Sequence, residues 1–313
     1  MRLVTVFGAS GFVGRYVVQR LAQRGLRVRA AVRRPALAEF LRPYGDVGQI
    51  APLQANVRDD ASVARAVQGT DAVVNLVGLL YETGHQRFDA VHAAGAARIA
   101  RAARAAGVQR LVQISAIGAD AGSASDYART KAQGETAVTA EFPGAKILRP
   151  SIVFGPEDGF YNRFANLARF LPALPLIGGG ETKFQPVYVR DVAAAVLAVL
   201  EGAEAPVYEL GGPRVYSFRQ VLEYILEVTE RKRLLVPLPF ELARMEAAVL
   251  ELLPKPLLTR DQVELLKRDN VVSPGMPGLK ELGIEPTAVE AIVPTYLRRY
   301  RKGSAAVGLE RHS

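Results

Sequence analysis

The sequence predicts an α/β protein, a doubly wound parallel sheet with a smaller, discontinuous C-terminal lobe. Three observations carry this. Over residues 1–150, strand-like and helix-like segments alternate at roughly 20–30-residue spacing, the period of right-handed β-α-β crossovers. Ala72–Val77 (Ala-Val-Val-Asn-Leu-Val) is a nearly unbroken apolar run, as expected of a strand covered on both faces. A glycine turn, Gly8-Ala9-Ser10-Gly11-Phe12-Val13-Gly14, separates the first apolar run from the first helical pattern.

In chain order, Leu3–Phe7 reads as the first strand, and Phe12–Arg24 carries apolar residues at helical spacing before Gly25. Arg27–Val32 and Ile50–Ala55 follow as strands, then a helix from about Asp59 to Val67 and the strand Ala72–Val77. A long alanine-rich helix, about Gln86–Ala106, leads through Gly107 to a strand at Arg110–Ser115. A helix at about Ser125–Glu141 leads to a strand at Ala145–Pro150. Beyond Pro150 the pattern loosens, with prolines and glycines clustered at 155–156, 171–180 and 211–213. Phe184–Val189 and Val207–Leu210 read as strands, and Val189–Leu200 and Phe218–Glu230 as helices. The expected organisation is a nucleotide-binding domain over 1–150, with about 183–200 returning to it. A smaller lobe would span 151–297, and 298–313 would form a flexible basic tail.

Composition narrows the function. Of 313 residues, 49% are hydrophobic and 23% charged, the proportions of an ordinary globular protein. There is no cysteine, which excludes disulfides, thiolate metal sites and cysteine nucleophiles. His85, His92 and His312 lie far apart without spaced acidic partners, so no metal site is expected. No apolar run is long enough to span a bilayer or form a secretory signal, so a cytoplasmic location is expected. The net charge is +9, and nine arginines stand against Glu39 and Asp46 within residues 1–50. Arg298, Arg299, Arg301, Lys302 and Arg311 oppose Glu310 in the tail. No basic stripe interleaved with aromatics is present, so nucleic acid is not an expected partner.

The glycine turn is a phosphate-binding signal of Rossmann type. Gly8 permits the tight turn, Gly11 lets a pyrophosphate approach the backbone, and Gly14 allows close helix–strand packing. The amides around Phe12 and Val13, with Ser10 beside them, then face the phosphates at a helix N-terminus. Arg33 and Arg34 end the second strand where an NAD site carries an acidic residue, and the next acid is Glu39. A guanidinium binds a ribose 2′-phosphate that a carboxylate would repel, so NADP(H) is favoured over NAD(H), with Arg33 on the phosphate and Arg34 its neighbour. The competing reading stacks one arginine on the adenine and leaves the other solvated. Tyr127 and Lys131 fall at i and i+4 on one helix face, where the ammonium lowers the tyrosine pKa enough for proton transfer near neutral pH.

The turn, Asn75-Leu76-Val77-Gly78 and the Tyr127/Lys131 pair resemble the short-chain dehydrogenase/reductase superfamily, in its extended and atypical members. Leu148–Pro156 is similar to the segment that runs past the nicotinamide in those proteins, and Gln185–Ala193 resembles their substrate-lobe signature. Tyr127–Glu135, Phe184–Ala193 and Leu258–Val272 resemble one atypical branch, the nucleotide-binding accessory subunit of respiratory complex I and its bacterial relatives. The resemblance implies that Asn56, Val57, Val77, Gly78, Ser115, Pro150 and Val153 also line the cofactor. Asn56 stands where many relatives carry aspartate beside the adenine. The hydroxyl that active relatives place beyond the strand-end serine falls here on Ala116 or Ile117, neither of which donates. Ser115 either substitutes for it or serves the backbone or the cofactor.

Two functions follow. One is an NADP(H)-holding accessory or assembly subunit with little or no turnover. The other is an active NADP-dependent oxidoreductase or epimerase on a hydroxylated or quinone-like substrate, with Tyr127 as acid or base. A partner surface is expected at 240–253. There Phe240, Ala243, Ala247, Leu250 and Leu253 make one apolar stripe, and Leu242, Met245, Val249 and Leu252 a second. The second stripe and the basic tail would meet complex I subunits or an anionic membrane surface, on the inner face of the cytoplasmic membrane.

Overall fold

The computed structural model describes residues 1–253 and 256–302. The chain divides into two compact units, the first comprising 1–150, 189–210 and 273–285 and the second the remainder.

The first unit runs β1 (Leu3–Phe7), α1 (Phe12–Gln23), β2 (Arg27–Val32), β3 (Ile50–Gln54), α2 (Asp60–Val67) and β4 (Ala72–Asn75). It continues α3 (Ala94–Ala105), β5 (Arg110–Ile114), α4 (Asp126–Glu141), β6 (Lys146–Pro150), α5 (Val189–Glu201) and β7 (Val207–Leu210). The seven strands form one sheet in the order β7-β6-β5-β4-β1-β2-β3, with every neighbouring pair parallel. Val4, Val6, Val73 and Val74 are fully buried because helices cover both faces. On one face Val63, Ile99 and Val138 of α2, α3 and α4 cluster with Val73 and Leu111; on the other, α1 packs along α5. Strand order reverses between β1 and β4, and such a switch point leaves a crevice at the strands' carboxyl ends.

A partly buried ionic network ties α4 to the sheet. Arg149 of β6 reaches both carboxylate oxygens of Glu135 in α4, at 2.6 and 2.9 Å, and lies 3.5 Å from Glu209 of β7. Glu209 also accepts the Ser273 amide at 2.7 Å, and its own amide donates to the Pro277 carbonyl.

Four boundaries differ from the sequence reading. The segments returning to the sheet unit are 189–210 and 273–285, not about 183–200. Val207–Leu210 extends the sheet beside β6, whereas the run 184–189 breaks at Gln185-Pro186, and Phe184 and Val187 pair with Tyr216 and Val153 in the second unit. The expected helix at 86–106 is α3 preceded by a single π turn, Asp89–Ala93. The helix expected over 240–253 ends at Leu250, leaving Leu253 exposed instead of in the buried stripe. Finally, the first part of the basic tail is bound. Arg298–Tyr300 is a 3-10 turn, Arg299 donates to the Asn162 side chain and the Pro156 carbonyl, and Arg301 pairs with Glu230 at 2.7 Å. Backbone and side-chain acceptors left open by neighbouring turns claim these guanidiniums. Arg311 lies outside the described residues.

The second unit has its own core, built on the helices Tyr161–Phe170, Phe218–Val228 and Val289–Leu297. Ala173–Ile177 and Leu234–Leu238 pair in parallel within it. Among the described residues, no helix is long and apolar enough to cross a membrane.

Candidate functional site

The crevice at the switch point is built from the loops after β1 and β4. Gly8 has φ +79°, a left-handed conformation, and a Cβ there would stand 3.1–3.3 Å from the Leu76 and Val77 backbone. Its amide donates to Ala31 of β2, and its carbonyl accepts the Gly11 amide, which closes the turn. A Cβ on Gly14 would stand 2.2 Å from the Gly8 carbonyl oxygen, so α1 starts hard against the turn only with glycine there. Gly11 caps α1 without any side-chain bond, which leaves the first amides, around Phe12 and Val13, to an anion.

Across the crevice, Asn75 donates to Gln113 at 2.8 Å and accepts the Val77 amide at 3.1 Å, shaping the loop that carries Val77 and Gly78. Arg33 and Arg34 are exposed at the end of β2. The first acid beyond them, Glu39, is exposed and pairs with Arg42 at 2.6 Å. Arg15, one residue past Gly14, lies over the Phe40 ring at 5.0 Å, so a third cation reaches the α1 side of the β2 end. Asn56 is half-buried; its Oδ1 accepts the Arg58 amide and its own amide donates to Ser62, which fixes the turn that presents it and Val57.

Ser125 caps α4 by accepting the Ala128 amide, and the helix then presents Tyr127 and Lys131 on one face, with the Lys131 Nζ 5.9 Å from the tyrosine ring centroid. Lys131 is only 6% exposed and donates to the Ile114 carbonyl at 3.2 Å. Burial pushes its pKa from the ordinary 10.5 down to about 8, partly opposed by the Glu135 carboxylate. Ser115, the residue just past β5, has a buried hydroxyl with no hydrogen-bond partner among the described residues. An orphaned buried hydroxyl is costly, and a polar ligand relieves it. Ile117 is buried and its amide donates to the Pro150 carbonyl, so no side-chain hydroxyl stands at that step. Val153 lies in the second unit, where it pairs with Val187.

Sequence reasoning missed two residues here. His92, set aside as a lone histidine, is 5.4 Å from the Tyr127 ring and buried; its only sequence signal was its place beside Phe88 and Val91 at helical spacing. Arg15 was not singled out at all, because the Phe40 that seats it lies in a 3-10 segment, Pro35–Tyr44, that no periodicity announced.

Residues 4–211, which include the glycine turn and the Tyr127/Lys131 pair, match the NAD dependent epimerase/dehydratase family. The chain belongs to that family. The family is an NAD-dependent one, and the uncapped α1 amides, the exposed arginines and the orphaned Ser115 hydroxyl are groups that fit a nicotinamide dinucleotide. Within the epimerase/dehydratase family, the chain is 36% identical over 320 aligned positions to NADH dehydrogenase (ubiquinone) 1 alpha subcomplex subunit 9, mitochondrial, of Arabidopsis thaliana. That alignment covers 98% of this chain and 80% of the relative. It is 38% identical to the Mus musculus protein of the same name, over 96% of this chain and 80% of that one. An NADPH-dependent quinone oxidoreductase of Escherichia coli, solved with NADPH, shares the fold at a TM-score of 0.73 and 23% identity, over 94% of this chain and 99% of that one.

Proposed function

We propose that this protein is an NADP(H)-holding accessory or assembly subunit of a respiratory complex I, with little or no turnover. The observation that carries it is likeness to complex I subunits over almost the whole chain, joined to a site that keeps the glycine turn and the Tyr127/Lys131 pair while Ala116 and Ile117 provide no carbonyl-binding hydroxyl. The dinucleotide, when bound, would supply hydride chemistry at its nicotinamide. The chain's own residues would hold it: Gly8, Ser10, Gly11, Phe12 and Val13 at the pyrophosphate, Asn56 and Val57 at the adenine, Val77, Gly78, Ser115, Lys131 and Pro150 toward the nicotinamide end. Purified protein should retain NADPH and fail to oxidise it with a panel of carbonyls and quinones. Steady turnover abolished by Tyr127→Phe would instead establish the active-enzyme reading, in which Tyr127 passes the proton and Lys131 assists.

Arg33 and Arg34, with the nearest carboxylate already paired, support NADP(H) over NAD(H). Arg33→Asp is expected to weaken NADPH binding by about 1–3 kcal/mol, because a charge-assisted bond becomes a repulsion, while NADH binding changes little. Calorimetry showing NADH bound more tightly than NADPH by the unmodified protein would refute this preference.

The partner surface we assign to the helix Phe240–Leu250. Ala243 and Ala247 are buried, whereas Met245 is 69%, Val249 67% and the following Leu252 84% exposed. Solvent-facing leucine, methionine and valine in one row mark an interaction site. Within the helix Glu241 and Glu246 stand against Arg244, the following Glu251 is paired with Arg260, and Arg299 and Arg301 are already bonded, so the helix carries no basic surplus to draw anionic lipid and a protein subunit suits the row better. Met245→Glu with Val249→Glu should abolish co-purification with the membrane complex without altering NADPH binding. Salt-sensitive flotation with anionic vesicles, lost in the same variant, would assign the face to a membrane surface on the cytoplasmic side instead.

A further inference from the structure

The turn Asp89–Ala93 is π-helical, and such turns redirect side chains at functional sites. Here the extra residue drives the chain toward α4. A Cβ on Gly134 would stand 2.2 Å from the His92 carbonyl oxygen, so α4 must carry glycine for the two segments to meet. The His92 ring is thereby inserted between two parts of the site. Its Nε2 accepts the Leu79 amide at 2.9 Å, from the loop after β4, and its Nδ1 lies 3.1 Å from the Thr130 hydroxyl, beside Lys131 on α4. An Nε2 that accepts from a backbone amide leaves the ring proton on Nδ1, which donates to Thr130. The Thr130 hydroxyl in turn donates to the Asp126 carbonyl at 2.8 Å. The ring stacks on Phe88 at 5.3 Å and meets the Tyr127 ring edge-on at 5.4 Å. A Cβ on Gly78 would lie 3.5 Å from Lys131 Nζ and 3.8 Å from His92 Nε2, so loop, lysine and histidine converge on one spot. Burial, and then the Lys131 charge, hold the His92 pKa down to about 3, so the ring keeps the neutral form that this two-sided bonding requires.

We propose that His92 is a positioning residue, a strut that sets the gap between the Gly78–Leu79 loop and the Tyr127–Lys131 face and thereby the grip on the cofactor's nicotinamide end. Hydrogen bonds on both sides of one rigid ring fix that gap in a way that packing alone does not. This rests on the dinucleotide reading of the site, and the test separates the two.

Hydrogen exchange at the Leu79 amide is measured in nucleotide-free protein, alongside NADPH affinity, for the unmodified chain, His92→Phe and His92→Gln. Phenylalanine keeps the stacked ring and loses both bonds. Glutamine places an amide oxygen near the Nε2 position and can accept from Leu79. His92→Phe should exchange Leu79 about tenfold faster and bind NADPH about tenfold more weakly, with His92→Gln restoring both to within about threefold. Nitrogen-15 spectra of the unmodified protein should show His92 protonated at Nδ1 alone. Unchanged Leu79 exchange in His92→Phe, equal loss in both variants, or a ring proton on Nε2 would overturn the strut. If the unmodified protein binds neither NADPH nor NADH, the dinucleotide reading fails, while the Leu79 exchange still decides the role of His92.

Discussion

Replacing Lys131 by methionine is expected to make the protein more stable at pH 7 and unable to hold its nucleotide. The ammonium is buried, and its pKa falls from 10.5 to about 8, so the unfolded chain binds that proton more tightly than the folded one. A group depressed in this way costs stability below its folded pKa, and the cost fades as pH rises from about 8 to about 10.5. At 1.36 kcal/mol per pKa unit the cost is on the order of 3 kcal/mol. Methionine fills nearly the same volume without charge, so denaturant unfolding should report a gain of about 2–3 kcal/mol at pH 7 and none above pH 10.5. Nucleotide affinity should fall by two orders of magnitude or more, roughly the worth of a charge-assisted contact in a buried site. A variant that is destabilised at pH 7 would show that the bond to the Ile114 carbonyl, not ligand binding, is the reason for the lysine.

Arg149→Leu is expected to cost about 3–5 kcal/mol, because it strands two carboxylates that burial keeps from water. Glu209 is almost fully buried, and Glu135 keeps only a small exposed edge. The Arg149 guanidinium is held above its ordinary pKa chiefly by the Glu135 hydrogen bonds. Neutralising both acids in the same variant, with Glu135→Gln and Glu209→Gln, should recover more than half of the loss in urea denaturation. No recovery would mean that Arg149 acts by filling space. Because Glu135 sits one helical turn beyond Lys131, the single variant should also weaken NADPH binding, through loss of the anchor between α4 and the sheet.

The sheet was legible where local periodicity and burial agree. Leu3–Phe7, Arg27–Val32 and Val207–Leu210 carry the residue alternation or apolar run of their strands, and the turn between Gly8 and Gly14 marks the first β-α junction by its glycines. The second unit was much less legible. Its paired strands Ala173–Ile177 and Leu234–Leu238 are short and interrupted by Pro175 and Pro237, and its helix Tyr161–Phe170 is only 10 residues long, so no window of sequence holds enough repeats to show a period. At the site, the residues whose type suits contact with a ligand, such as Gly11, Arg33, Tyr127 and Lys131, stood out. Those that act by position did not. Glycine at 134 reads as a weak helix residue until the His92 carbonyl is seen against it, and His92 reads as one more buried histidine until its two bonds are placed.

The sequence alone thus determined the parallel α/β architecture, the glycine turn, the cationic end of β2 and the paired tyrosine and lysine. Each of these is encoded within a few consecutive residues. Tertiary structure alone decided that the outer row of the helix Phe240–Leu250 is the exposed one. It also decided that Arg299 and Arg301 are spent on internal bonds, and that His92 bridges the loop after β4, 13 residues before it, and α4, 38 residues after it. Which of two apolar stripes meets water, and what a long side chain can reach, depend on groups brought together by folding from distant parts of the chain, and no local pattern of residues carries that information.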